Sequence, residues 1–346
     1  MKAHDFISGN MIATVAKLHA ISGKKLSKDD YAQLISCSTV ADAAGYLKRR
    51  TYYARALDNV DTDRIHRGNL ENILRRCFYE DYYRIANLEK VGDDEFYNYL
   101  VLKTEIDEIL MCITHLNAGT DDHINTIPIY MNRYTSFDLT DLARVRSFDE
   151  LLALIKGSPY ADILKMFPPD DSGYIKYPEC ELALRTYYYR RLLKYADKTG
   201  DDEIRSFICS QIDMINIINA YRMKKHFGMS PETIKAAMIP IYLAVPEKKF
   251  DAMYEAKDMK GFAAELKKTV YGRDLSDQEL ESPEQPLQRL RLRQTKRAFS
   301  MAFSPPVVFF AFNTLADIEI KNIIRIIEGI RYSLPAEEIG RLIITE

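Results

Sequence analysis

Between Leu315 and Pro335 the apolar and polar positions fall on separate faces of a helix. Ile320, Ile323, Ile324, Ile327 and Ile330 recur at steps of three and four and make one apolar stripe. Glu319, Asn322, Arg325 and Glu328 form a polar ladder at steps of three. This amphipathic pattern has two earlier relatives, Asp213-Met-Ile-Asn216-Ile-Ile-Asn219-Ala-Tyr-Arg222-Met-Lys224 and Glu105-Ile-Asp-Glu108-Ile-Leu-Met-Cys-Ile. Each opens on an acid, carries Asn or Glu three residues on, and continues with Ile and a second large aliphatic. The opening acids are 108 and 106 residues apart.

Other segments keep the same beat. Tyr82-Tyr83-Arg84 precedes the first ladder and Tyr187-Tyr188-Tyr189-Arg190-Arg191 the second, with 106 residues between Tyr83 and Tyr189. Three short helical signatures, at Ala41 to Leu47, Phe148 to Ile155 and Met259 to Leu266, lead to Thr51-Tyr-Tyr53, Ser158-Pro-Tyr160 and Thr269-Val-Tyr271. Their closing tyrosines lie 107 and 111 residues apart. Several segments in phase predict three copies of one helical unit, at about 1–118, 119–228 and 229–346, with the first and last helices packing across units.

Local signals fill in the elements. Ser27, followed by Asp29 and Asp30, caps a helix running to about Ser36, and Ser147 with Glu150 makes a capping box. Long helices are predicted over Asp61–Leu88, Asp93–Asn117, Pro178–Ala196, Glu203–His226, Ala256–Val270 and Leu287–Phe303. Pro305-Pro306 interrupts the last of these ahead of the third ladder. No stretch sustains period-two alternation, so the fold class is all-α.

Composition agrees. Hydrophobic residues make up 47% and charged residues 28% of 346, enough apolar material for a core, and the low counts of 14 Gly and 13 Pro favour helices over a turn-rich β fold. A net charge of −2 gives no bulk electrostatic pull towards nucleic acid or anionic lipid. Five scattered cysteines, none at metal or redox spacing, read as reduced and mostly buried thiols of a cytoplasmic protein. The N-terminus lacks the apolar core of a signal peptide, and no apolar run approaches the roughly 20 residues that span a bilayer.

Catalytic patterns are missing: no Gly-x-x-x-x-Gly-Lys-Ser/Thr loop, no Gly-x-Gly-x-x-Gly, no His-Glu-x-x-His, and six histidines far apart. Asp121-Asp122-His123 is the nearest approach to a metal cluster, in a turn where Asp is common anyway. The run Arg289-Leu-Arg291-Leu-Arg293-Gln-Thr-Lys296-Arg297 suits an acidic partner or a phosphate backbone. It reads more simply as a solvated face balanced by Asp277, Glu279 and Glu281. The ladder residues could line a binding channel or supply the hydrogen bonds that fix helix packing.

The order and period of the ladders, with Glu328-Gly-Ile-Arg-Tyr332 in the last, resemble the C-type subunits of the archaeal and bacterial V/A-type rotary ATPases, whose eukaryotic counterpart is the d-type subunit of the vacuolar ATPase. The segment Val15 to Leu34 shares the resemblance, so it covers essentially the whole chain; Glu108 departs from it, standing where the other copies have Asn. The resemblance implies three helical subdomains about a pseudo-threefold axis, forming a funnel on the cytoplasmic face of the proteolipid ring. Its socket would receive the foot of the central shaft, with D- and F-type shaft proteins and the proteolipid c-ring as partners. It also implies a peripheral component that touches the membrane only through the ring, without active site, cofactor, metal or nucleic acid. Asp213, Asn216, Asn219, Arg222, Glu319, Asn322 and Arg325 become the candidate partner-binding residues. An α-helical repeat scaffold binding an acidic protein or nucleic acid through Arg289–Arg297 is the alternative, and an enzyme with a dispersed site is a third.

Overall fold

A computed structural model describes residues 9–88, 98–120 and 128–345. Every regular element among them is helical. The principal helices are α1 (Gly9–Ser22), α2 (Arg67–Leu88), α3 (Tyr99–Ala118), α4 (Tyr177–Thr199), α5 (Asp202–Phe227), α6 (Glu284–Met301), α7 (Pro305–Arg331) and α8 (Ala336–Leu342). The chain divides into two compact units. Residues 1–98, 122–133 and 295–346 belong to the first; 99–121 and 134–294 belong to the second.

In the first unit the long helix α7 is packed by α1, α2, α8 and the short helices Lys28–Ile35 and Val40–Arg50. Being surrounded requires an apolar girdle, and α7 supplies one: Phe309, Phe312, Ile320, Ile323, Ile326 and Ile327 are all essentially inaccessible to solvent. Each such side chain contributes about 1.5–3 kcal/mol through burial. The basic helix ends at Met301, ahead of the prolines predicted to break it, and those prolines begin the next: Ser304 accepts the Val307 N–H, and Pro305 and Pro306 occupy first-turn positions that need no donor.

In the second unit α3 packs on α4 and α4 on α5. The apolar side of α5 (Met214, Ile217, Ile218, Tyr221) closes a core with Phe250, Met253, Tyr254, Phe262, Leu266 and Leu287. Two predicted helices are shorter than expected because side chains cap them late. Asp258 accepts the Gly261 N–H, so the helix covers Met259–Lys267. Asp61 caps a single 3-10 turn, and the long helix starts only at Arg67. At Ser147 the hydroxyl caps Glu150 N–H as expected, while the Glu150 carboxylate reaches one residue further back, to Arg146 N–H at 2.7 Å.

Candidate functional site

The three ladder acids are buried, and each fastens a helix to a distant stretch of its own unit. In the first unit Glu319 Oε2 accepts the Leu26 N–H at 2.9 Å and Oε1 accepts the Tyr53 hydroxyl at 2.7 Å. In the second unit Glu105 Oε1 accepts the Ser136 N–H at 2.5 Å and Oε2 accepts the Tyr160 hydroxyl. Asp213 Oδ2 accepts both the Val245 N–H, at 3.0 Å, and the Tyr271 hydroxyl, at 3.1 Å. One carboxylate, one backbone amide and one tyrosine recur three times.

Local sequence explains how the tyrosines arrive. Two residues before each stands a hydroxyl that bonds a carbonyl at a preceding helix end: Thr51 to Leu47 O at 2.8 Å, Ser158 to Ile155 O at 2.6 Å and Thr269 to Leu266 O at 2.7 Å. The chain turns there and the ring enters the core. Burial first, and the adjacent carboxylate second, push the hydroxyls of Tyr53, Tyr160 and Tyr271 above their ordinary pKa, so all three remain donors.

Asparagines add a second kind of fastening. Asn322 donates to Ile344 O and accepts from Ile344 N–H, both at 2.8 Å. Asn216 holds Ile239 in the same two-bond manner at 2.9 and 3.1 Å. Asn117 holds Ile175 at 2.8 and 2.9 Å. Each closes a backbone amide and carbonyl that water does not reach freely.

The carboxylates differ in their surroundings. The Lys25 ammonium lies 3.4 Å from Glu319 Oε1 and about 6 Å from the ring centres of Tyr52, Tyr53, Phe78 and Phe312. Asp213 has no cation among its partners in the described residues, and its Oδ1 makes no hydrogen bond. Burial raises its pKa to about 7 against the opposing bonds from Val245 and Tyr271 and a weaker pull from the Ala244 N–H.

Ion pairs line the seams between long helices. Arg185 on α4 meets Asp107 on α3 at 2.7 Å; burial alone would raise the Asp107 pKa, and Lys103 with Arg185 hold it below the ordinary range. In the first unit Arg75 meets Asp317 at 3.6 Å and Arg67 meets Glu328 at 3.3 Å. These side chains keep a third or so of their surface in water, so each pair contributes at most about 1 kcal/mol.

Of the seven candidate partner residues, the structure buries Asp213, Asn216, Glu319 and Asn322 and engages them within their own units. Asn219 and Arg222 are exposed, with Arg222 paired to Glu284, and Arg325 is half-buried. The basic run is divided too. Arg291 turns to Gln211, while Arg289 and Arg293 are exposed and reinforce the Ser276 hydrogen bonds that lower the Glu279 pKa. Asp121, Asp122 and His123 lie outside the described residues. Among those described, no three His, Cys, Asp or Glu side chains are grouped to hold a metal. The thiols of Cys112, near 12, and Cys180 and Cys209, near 11, are pushed up by burial, which makes them poor nucleophiles at neutral pH.

Three features are not foretold by the sequence pattern: the Leu26, Ser136 and Val245 amides, the Asn117 clamp, and which tyrosine meets which acid. Only the last left a signal, since the tyrosines and the acids share one period.

Residues 14–342 match the family model described as ATP synthase (C/AC39) subunit. Curated relatives include the C subunits of several A-type ATP synthases. The one from Methanosphaera stadtmanae is 23% identical, over 95% of this chain and 86% of its own length. That of Thermococcus onnurineus is 23% identical, over 85% of this chain and 80% of its own. That of Desulfurococcus sp. is 22% identical, over 91% and 86%.

Proposed function

Because the chain belongs to the ATP synthase (C/AC39) subunit family, we propose that it is a non-catalytic central-stalk component of a V/A-type rotary ATPase. In this role it links the central shaft to the membrane proteolipid ring and transmits torque between ATP hydrolysis or synthesis and the transport of H⁺ or Na⁺. The family match over nearly the whole chain carries the reading. What supports the mechanical part is where the polar side chains are used: three buried carboxylates and three amides fasten long helices to distant segments. Such fastening stiffens a part under load.

The proposal includes three similar helical subdomains around a pseudo-threefold axis, with a socket for D- and F-type shaft proteins on one side and the ring on the other. The ladder members that reach the surface, Asn219, Arg222 and Arg325, are the ones assigned to partner contact. No helix among the described residues is long and apolar enough to cross a membrane, which fits a peripheral place held through the ring.

Reconstitution of the complex with and without this chain tests the reading. Without it, ATP hydrolysis by the catalytic head is expected to continue while ATP-driven ion pumping stops, and the chain is expected to co-purify with shaft and ring. Full pumping by complexes that lack it would refute the assignment.

A further inference from the structure

Among the three fastened carboxylates Asp213 is the one with an incomplete set of donors. Glu105 and Glu319 each receive a donor on both oxygens. Asp213 receives the Val245 and Tyr271 donors on one oxygen, Oδ2, with only a weaker pull from the Ala244 N–H, keeps Oδ1 without a hydrogen bond, and is completely buried. No cation among the described residues offsets it. The titratable groups that face it are Cys209 on α5 itself, Tyr254 on the helix Glu247–Glu255 and Tyr271 in the turn after Lys267, all neutral at physiological pH. The helix Met259–Lys267 contributes apolar Phe262 and Leu266 to the same core. A buried anion without a counter-charge is costly, and the carboxyl escapes that cost either by keeping its proton or by meeting water.

The second escape lies close at hand. Val245 ends the irregular stretch Pro240–Val245, which carries the half-exposed Leu243, and Tyr271 follows the half-exposed Val270. Both donors therefore belong to turns between helices, fixed at Ile239 by Asn216 and at Thr269 by its hydroxyl, and not to the body of a long helix.

We propose that Asp213 is a proton-held latch. Neutral, it keeps the 240–245 loop and the Tyr271 turn docked on α5; ionised, it favours the state in which the loop lifts and water reaches the carboxylate. The step is a single proton leaving the carboxyl O–H for solvent, with the hydrogen bonds from Val245 and Tyr271 and the weaker one from Ala244 given up as the loop lifts. The direction follows from linkage. The docked carboxyl holds a proton that the open, hydrated one has released, so docking weakens as pH rises from about 4 towards 7. Above the docked pKa, near 7, the loss is complete and levels off. The latch does not depend on the torque reading; it is a property of the second unit alone.

Amide hydrogen exchange in the whole chain, corrected for the intrinsic rate and followed at Val245 and its neighbours between pH 5 and 8, reads the latch directly. Protection in the native protein is expected to fall by up to tenfold per pH unit between pH 5 and 7 and then to flatten, while in Asp213→Asn it stays flat throughout. The same dependence in both proteins, or none in the native one, overturns the proposal. Should the variant fail to fold, a carbon-13 titration of the native Asp213 carboxyl decides instead: a midpoint near 7 supports the latch and one below 5 removes it.

Discussion

Asn322→Ala is the sharpest test of how the first unit is held together. The native amide satisfies both backbone groups of Ile344 at 2.8 Å, in a place where Asn322 is 1% and Ile344 5% exposed, and it also meets the Tyr31 hydroxyl. Alanine removes both partners at once. The Ile344 N–H and C=O then stay buried and unpaired, each at about 1–3 kcal/mol. The sum is roughly 2–6 kcal/mol, a large part of the about 5–15 kcal/mol that holds a domain folded.

Urea unfolding followed by circular dichroism should therefore show the transition that contains α7 moved down by at least about 0.7 M, given slopes of about 1–3 kcal/mol/M. Exchange protection at Ile344 should vanish in the same variant. Asn322→Asp should do no better than alanine, because it returns the acceptor but sets a carboxylate oxygen against the Ile344 carbonyl. Removing residues 343–346 from the alanine variant should cost much less than removing them from the native chain, since the partner is already lost. An unchanged midpoint with Ile344 still protected would refute the reasoning, because the clamp would then contribute nothing.

Other expectations follow from single contacts. A Cβ at Gly329 would lie 2.6 Å from Ile339 Cγ1, so Gly329→Ala should destabilise by about 1–2 kcal/mol despite the better helix propensity of Ala, and Ile339→Ala should reverse the sign; thermal melts of the single and double variants check both. Ser333 ends α7 with φ +55°, where Gly119 and Gly228 close other helices at +62° and +59°, so Ser333→Gly should raise stability by about 0.5–1 kcal/mol in a urea titration. Tyr271→Phe removes a bond that favours the ionised carboxylate. Asp213 should then titrate above about 7 in a carboxyl NMR titration, and docking should go on weakening to a higher pH before it levels off.

The all-helical class was legible because the apolar stripe of α7 and the caps at Ser27 and Ser147 are local signals, and local physics sets them. The acids Glu105, Asp213 and Glu319 and the tyrosines Tyr53, Tyr160 and Tyr271 were each visible as a set with one period. Their pairing was not. With one spacing shared by both sets, Tyr160 and Tyr271 each have an acid ahead and one behind, and period alone cannot choose. The contacts choose the acid behind for Tyr160 and Tyr271, whereas Tyr53, with no acid behind it, meets Glu319 from the far end of the chain. Leu26, Ser136 and Val245 act through backbone amides, which any residue but proline presents, and so left no trace. Lys25 among four rings was equally hidden, since a lysine in a polar stretch reads as solvated.

The ladders themselves were ambiguous for a geometric reason. A helix advances about 100° per residue, so a step of three falls about 60° short of a full turn. A polar line at that step therefore drifts across the helix and cannot stay on one face. Asp213 and Asn216 lie buried, and by Asn219 and Arg222 the line has come out to the surface. Glu319 and Asn322 are buried in the same way, and Arg325 and Glu328 emerge. In the second and third ladders the first two members reach backbone groups inside their unit, and later ones meet charges such as Glu284 and Arg67 at the helix seams. A single sequence motif carries both because a three-residue step leads from the core to the water within three turns.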